Sequence, residues 1–150
     1  MPFRYRLQKI LEFRIRKKEE QEAVVQKAQQ AVHQAEMDIK QNNDEIAQTA
    51  QAKRMADYRM MEYYDKYLHH LWDKAEELEK KREEAQKVLD DEMEKLVKCE
   101  QEVKVLENHK EKKKEQFIAE EKAAELKMFS ELGVQRHFIR ARENEQEEDS

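Results

Sequence analysis

A chain of 150 residues that is 43% charged and 38% apolar, with a net charge of -5, has the length of one domain but not the composition of a compact globule. One Gly and one Pro leave almost no turn chemistry for a sheet or a multi-helix globule. The small net charge and the periodic return of Leu, Ile, Val and Ala confine disorder to the ends, so the expectation is an all-α, elongated, stalk-like chain.

The chain opens on a basic segment in which Arg4, Arg6, Lys9, Arg14, Arg16, Lys17 and Lys18 face only Glu12. A cation in every turn interrupts any apolar run of the kind a secretory leader carries. Phe3, Leu7, Ile10 and Leu11 recur at helical spacing, which gives the segment an apolar face. Such a face fits a groove on a protein or an anionic membrane surface, and the plainer alternative is a solvated helix start. No stretch approaches about 20 consecutive apolar residues. A cytoplasmic location is therefore expected.

Between Pro2 and Gly133 nothing breaks a helix, and the interior is rich in Ala, Glu, Lys, Gln and Leu. A first heptad run takes Val25, Ala28, Val32, Ala35, Ile39, Asn42, Ile46, Thr49, Lys53, Ala56, Met60, Tyr63 and Tyr67. A second takes Met61, Tyr64, Leu68, Leu71, Ala75, Leu78, Arg82, Ala85, Leu89, Glu92, Leu96, Cys99, Val103 and Leu106, and continues through Lys110, Lys113, Phe117, Glu120 and Ala124. Apolar residues sustained at this spacing form the seam of a supercoiled helix pair. The partner is either a second chain in a parallel rod or the chain's own second half in an antiparallel two-helix coiled coil. The runs differ in phase by one residue, and the first weakens at Thr49 and Lys53, which favours the hairpin.

The expected layout is one hairpin over residues 1–142. Helix 1 covers about 3–50, a bend lies within 49–57, helix 2 covers about 57–132, and a short C-terminal extension follows. An unbroken helix is the alternative, because no Gly marks the bend. Asn42 at a seam position reads as tolerance near a helix end or as register control, and tolerance is the simpler reading. Gly133 reads as a helix C-cap. Residues 143–150, acidic and without an apolar side chain, read as a disordered tail.

Catalysis needs convergent groups on a concave scaffold, which two helices do not supply, so no enzyme is expected. With one Gly no phosphate-cradling loop can be built, and no cofactor is expected. His33, His109 and His137 are isolated, and the adjacent His69 and His70 point about 100° apart on a helix, so no metal is expected. A net-acidic chain with only the Lys112, Lys113 and Lys114 cluster beyond its N-terminus is a poor binder of nucleic acid. Cys99 falls on the seam as a small core residue and cannot form an internal disulfide.

Both heptad phases are apolar at once between Asp57 and Trp72: Met60 with Met61, Tyr63 with Tyr64, Tyr67 with Leu68, Leu71 with Trp72. A two-stranded seam needs one of each pair, so the excess reads as a partner surface, or else as a cap on the hairpin end.

Three segments resemble the FliJ family of bacterial flagellar export proteins: the opening FRYRLQKILEFRIRKKEEQE, the YYDKYLHHL run, and FIAEEKAAELKMFSEL followed by FIRAR. The resemblance implies a non-enzymatic coiled-coil stalk of the flagellar type III export apparatus, similar to the central stalk of rotary ATP synthases. It implies contact with the export ATPase hexamer, with the membrane export gate and with export substrate chaperones, at the cytoplasmic face of the inner membrane at the flagellar base. It assigns Phe3, Arg4, Leu7, Leu11, Phe129 and Leu132 to the ATPase end, and Tyr63, Tyr67, Leu71 and Trp72 to the gate end. On the first helix, Asp38, Asn42, Glu45 and Thr49 depart from the family's gate-facing pattern. The other readings are a virulence-type injectisome stalk and a structural or membrane-surface coiled-coil rod. An open seam also permits weak self-association.

Overall fold

The computed structural model describes residues 2–148, and every element within them is helical. Helix α1 spans Gln8–Met55, a single 3-10 turn spans Tyr58–Met60, and α2 spans Met61–Glu148. Two compact units divide the chain: Glu12–Val103, and Met1–Leu11 together with Lys104–Ser150.

In the Glu12–Val103 unit α1 and α2 pack antiparallel along their whole shared length. Arg14 reaches the Glu102 carbonyl, Gln21 the Glu92 carbonyl, Asn42 the Leu71 carbonyl, and Lys53 the Asp65 carboxylate, so partners descend along α2 as they ascend along α1. The two heptad phases are the two sides of this seam. Val25, Ala28 and Val32 bury against Leu89, with Ala85 and Leu96 packed around them. Leu68, Leu71, Leu78, Cys99 and Val103 continue the buried row on α2.

Charged seam positions are satisfied rather than excluded. Arg82 binds the Glu79 carboxylate through Nε and Nη2, which holds the Glu79 carboxyl below its ordinary value. Glu92 accepts a hydrogen bond from Gln21 Nε2 at 2.6 Å and a second from Lys95, and its carboxyl is likewise held low. The remaining ion pairs along single helices, such as the part-exposed Lys18 with Glu22 and the exposed Lys66 with Glu62, lie at the surface and add a few tenths of a kcal/mol at most.

The one-residue change of phase coincides with the connection. Helix α1 runs to Met55, so Thr49 and Lys53 lie inside its last two turns rather than at the start of a bend. Thr49 is buried because its hydroxyl donates to the Glu45 carbonyl at 2.7 Å, one turn back, and Lys53 pairs with Asp65 across the seam. Lys53 and Arg54 also suit the negative end of the α1 dipole, as Glu62 suits the positive end of α2. The chain then turns through an extended Asp57, whose carbonyl accepts from Met60 N at 2.9 Å. No described residue of the turn has positive φ, and for that reason it needs no Gly.

Asn42 is a pin in the seam rather than a polar residue tolerated near a helix end. It is 2% exposed, 13 residues before the end of α1, and its Nδ2 donates to the Leu71 carbonyl at 3.0 Å. Its Oδ1 is buried with no hydrogen-bond partner. A polar seam residue that bonds in one alignment and is stranded in the others discriminates between registers.

In the second unit, residues 2–7 are not helical, and α1 begins at Gln8 rather than near residue 3. Gln8 N donates to the Tyr5 carbonyl at 3.2 Å in a turn that feeds the helix. Tyr5, Leu11 and Leu106 form the buried part of this unit. Helix α2 passes through Gly133, where a stop was expected. A Gly in a helix interior costs only about 1 kcal/mol against Ala, too little to end a helix flanked by good formers. The acidic segment is helical to Glu148 and fully exposed, because Glu and Gln extend a helix without needing to bury anything. Residues 149 and 150 of the expected tail lie outside the described residues.

Candidate functional site

The N-terminal arm is clamped onto α2 by aromatic and polar contacts. The Phe3 ring lies 5.5 Å from that of Phe117. Tyr5 sits 5.6 Å ring to ring from His109, with its hydroxyl 2.5 Å from Nδ1 and 3.5 Å from the Leu106 carbonyl. Around these rings lies a cleft lined by Arg4, Arg6, Leu7, Lys113, Gln116 and Glu120. Three cations against one carboxylate give it a positive potential over an aromatic floor. Replacing Tyr5 with Phe removes a part-buried hydrogen bond worth about 1 kcal/mol, so tryptic cleavage after Arg4 and Arg6 should rise about fivefold while the helix content holds. An unchanged cleavage rate would mean that the phenol does not hold the arm.

Of the residues expected at the ATPase end, Phe3, Arg4 and Leu7 line this cleft, and Leu11 is buried beside it. Phe129 and Leu132 are not part of the cleft. They lie on a stretch of α2, residues 118–148, in which every residue is exposed. Phe129 is 69% exposed, and Ile118, Leu126, Phe138 and Ile139 accompany it.

The residues expected at the gate end divide differently. Leu71 is 1% exposed and belongs to the seam, where it packs beneath the Asn42 hydrogen bond. Tyr63 and Trp72 are largely exposed, each with one ring neighbour: Tyr64 at 5.7 Å and His69 at 5.1 Å. Nine residues of helix turn Trp72 to about 180° from Tyr63, so the two lie on opposite flanks of the seam. Tyr67 shares the Tyr63 flank, half-buried, and donates to the Glu45 carboxylate, which pushes its phenol above the usual value. Glu45 thus gives the departing first-helix face a structural task.

The family model of the flagellar FliJ protein matches residues 3–143, nearly the whole chain. The chain belongs to the FliJ family. No curated protein and no solved structure matches it significantly. As a FliJ-family chain it is a component of flagellar type III protein export, a non-enzymatic class of protein. Among the described residues of this FliJ chain no helix is long and apolar enough to cross a membrane, and no cluster of His, Cys, Asp and Glu could hold a metal ion.

Tyr5 and His109 were not singled out from sequence. Their only signal is the alternation of Phe3 and Tyr5, because a contact spanning 104 residues leaves no local pattern.

Proposed function

We propose that this chain is the stalk of the flagellar export apparatus, working by contact and without chemistry of its own. Its N-terminal arm and the exposed stretch of α2, with Phe3, Arg4, Leu7, Leu11, Phe129 and Leu132, engage the export ATPase hexamer and promote ring assembly and activity. The flanks carrying Tyr63, Tyr67 and Trp72 face the membrane export gate and substrate chaperones, with Leu71 holding them in place from the seam. The protein works at the cytoplasmic face of the inner membrane at the flagellar base.

The observation that carries this reading is the exposed stretch of α2. A helix that buries nothing yet presents Ile118, Leu126, Phe129, Leu132, Phe138 and Ile139 is a surface awaiting a partner. The match to a flagellar family supports that setting over a virulence injectisome. The test is the rate of the cognate export ATPase titrated with this protein and with F129A/L132A, a variant that alters only exposed positions. Stimulation by the wild type and its loss in the variant support the assignment. Equal stimulation by both removes Phe129 and Leu132 from the contact.

A further inference from the structure

The exposed stretch of α2 carries a heptad register of its own, distinct from the α1/α2 seam. Ile118, Lys122, Glu125, Phe129, Leu132, Arg136, Ile139 and Glu143 follow one another at alternating spacings of four and three, and every one is exposed. This spacing puts the apolar Ile118, Phe129, Leu132 and Ile139 and the charged Lys122, Glu125, Arg136 and Glu143 on one face, where a second helix can meet them.

We propose that this stripe pairs antiparallel with the same stripe of a second copy of the chain. Charge complementarity selects both the partner and the alignment. Placing Phe129 opposite Leu132 of the second copy makes two apolar layers by symmetry. The same alignment sets Glu125 opposite Arg136, again twice. Lys122 meets Ile139 with its aliphatic stem, its ammonium reaching water, and the outermost layers set Ile118 against the stem of Glu143.

Other alignments of the stripe are worse. Slipping one copy by a heptad in one direction sets Glu125 against Phe129 and leaves the stripe without any opposite-charge pair, and in the other direction it sets Glu125 against Glu143. A parallel, in-register pair sets Glu125 against Glu125 and Arg136 against Arg136. Like charges placed opposite each other disfavour an interface strongly. The self-pair covers the apolar stripe that includes the ATPase-end residues Phe129 and Leu132, so it is a resting state of a chain that has no larger partner.

Sedimentation equilibrium of the full-length protein alone tests this. The expected result is a reversible dimer that weakens with salt. Glu125→Arg and Arg136→Glu should each raise the dimer Kd by about tenfold or more, since each creates two like-charge contacts. The double variant E125R/R136E should return to near the wild-type value, because the pair is restored with its signs exchanged. All positions are exposed, so helix content should not change. A chain that stays monomeric at its highest soluble concentration overturns the proposal. So does a dimer indifferent to E125R, or one that the double swap fails to rescue. No ATPase is present in the assay, so either outcome leaves the stalk reading standing or falling by its own test.

Discussion

Replacing Leu71 with Ala should cost the hairpin about 3 kcal/mol, while replacing Trp72 beside it should cost less than about 1 kcal/mol. The two residues are adjacent in sequence and similarly apolar, but Leu71 is 1% exposed in the seam and Trp72 is 49% exposed on a flank. Truncating Leu71 removes its transfer free energy and leaves a cavity beneath the Asn42 contact, which rigid helices cannot collapse. Truncating Trp72 loses the edge-to-face contact with His69 and the cover over half of an indole at the surface, but leaves no enclosed cavity. Urea midpoints read by far-ultraviolet circular dichroism should separate the two variants clearly. Under the gate contact proposed above, the order should reverse in gate binding once folding is matched, with W72A impaired and L71A close to wild type. A Leu71→Ala chain as stable as Trp72→Ala would mean that the seam does not run through Leu71.

The second large effect is expected at Asn42. Replacing it with Asp keeps the shape but exchanges the Nδ2 donor for a carboxylate oxygen, aimed at the Leu71 carbonyl oxygen that now accepts from Asn42. A buried, unpaired carboxylate beside an acceptor should cost about 3 kcal/mol at neutral pH. The pH dependence has a definite sign. Burial raises the introduced group's folded-state pKa above its unfolded value, so the variant is least penalised below the unfolded carboxylate range, where the protonated group can donate as Asn42 does. The penalty then grows as pH rises through the folded pKa. Stability measured against wild type at matched pH isolates this dependence. A pH-independent difference would show that position 42 is hydrated in solution. Neither oxygen would then be stranded.

The fold was legible because the seam residues announce themselves locally. Val25, Ala28 and Val32 on one phase and Leu68, Leu71 and Leu78 on the other can be read without knowing what they meet, and their offset of one residue betrays a break in the helix. The features that were misread all depend on a distant partner or on a weak local preference. Thr49 and Lys53 resemble the end of a seam until the Glu45 carbonyl and the Asp65 carboxylate are found to satisfy them. Gly133 resembles a cap because Gly often is one, yet the helix absorbs the cost. Leu71 and Trp72 look interchangeable in an apolar run. Only the rotation of α2 on α1 decides which of them is buried. The Tyr5 and His109 contact was invisible for the same reason, since it joins residues 104 positions apart.

The place of Cys99 gives the molecule a built-in reporter. Its thiol lies in the seam, buried between the helices, and it is the chain's one cysteine. An alkylating reagent can reach that sulfur only when the helices part around it. The labelling rate of the folded protein, set against that of the unfolded chain under the same reagent, therefore reports transient openings. Slower labelling when a partner is added would mean that the partner braces the hairpin, and faster labelling that it pries the helices apart.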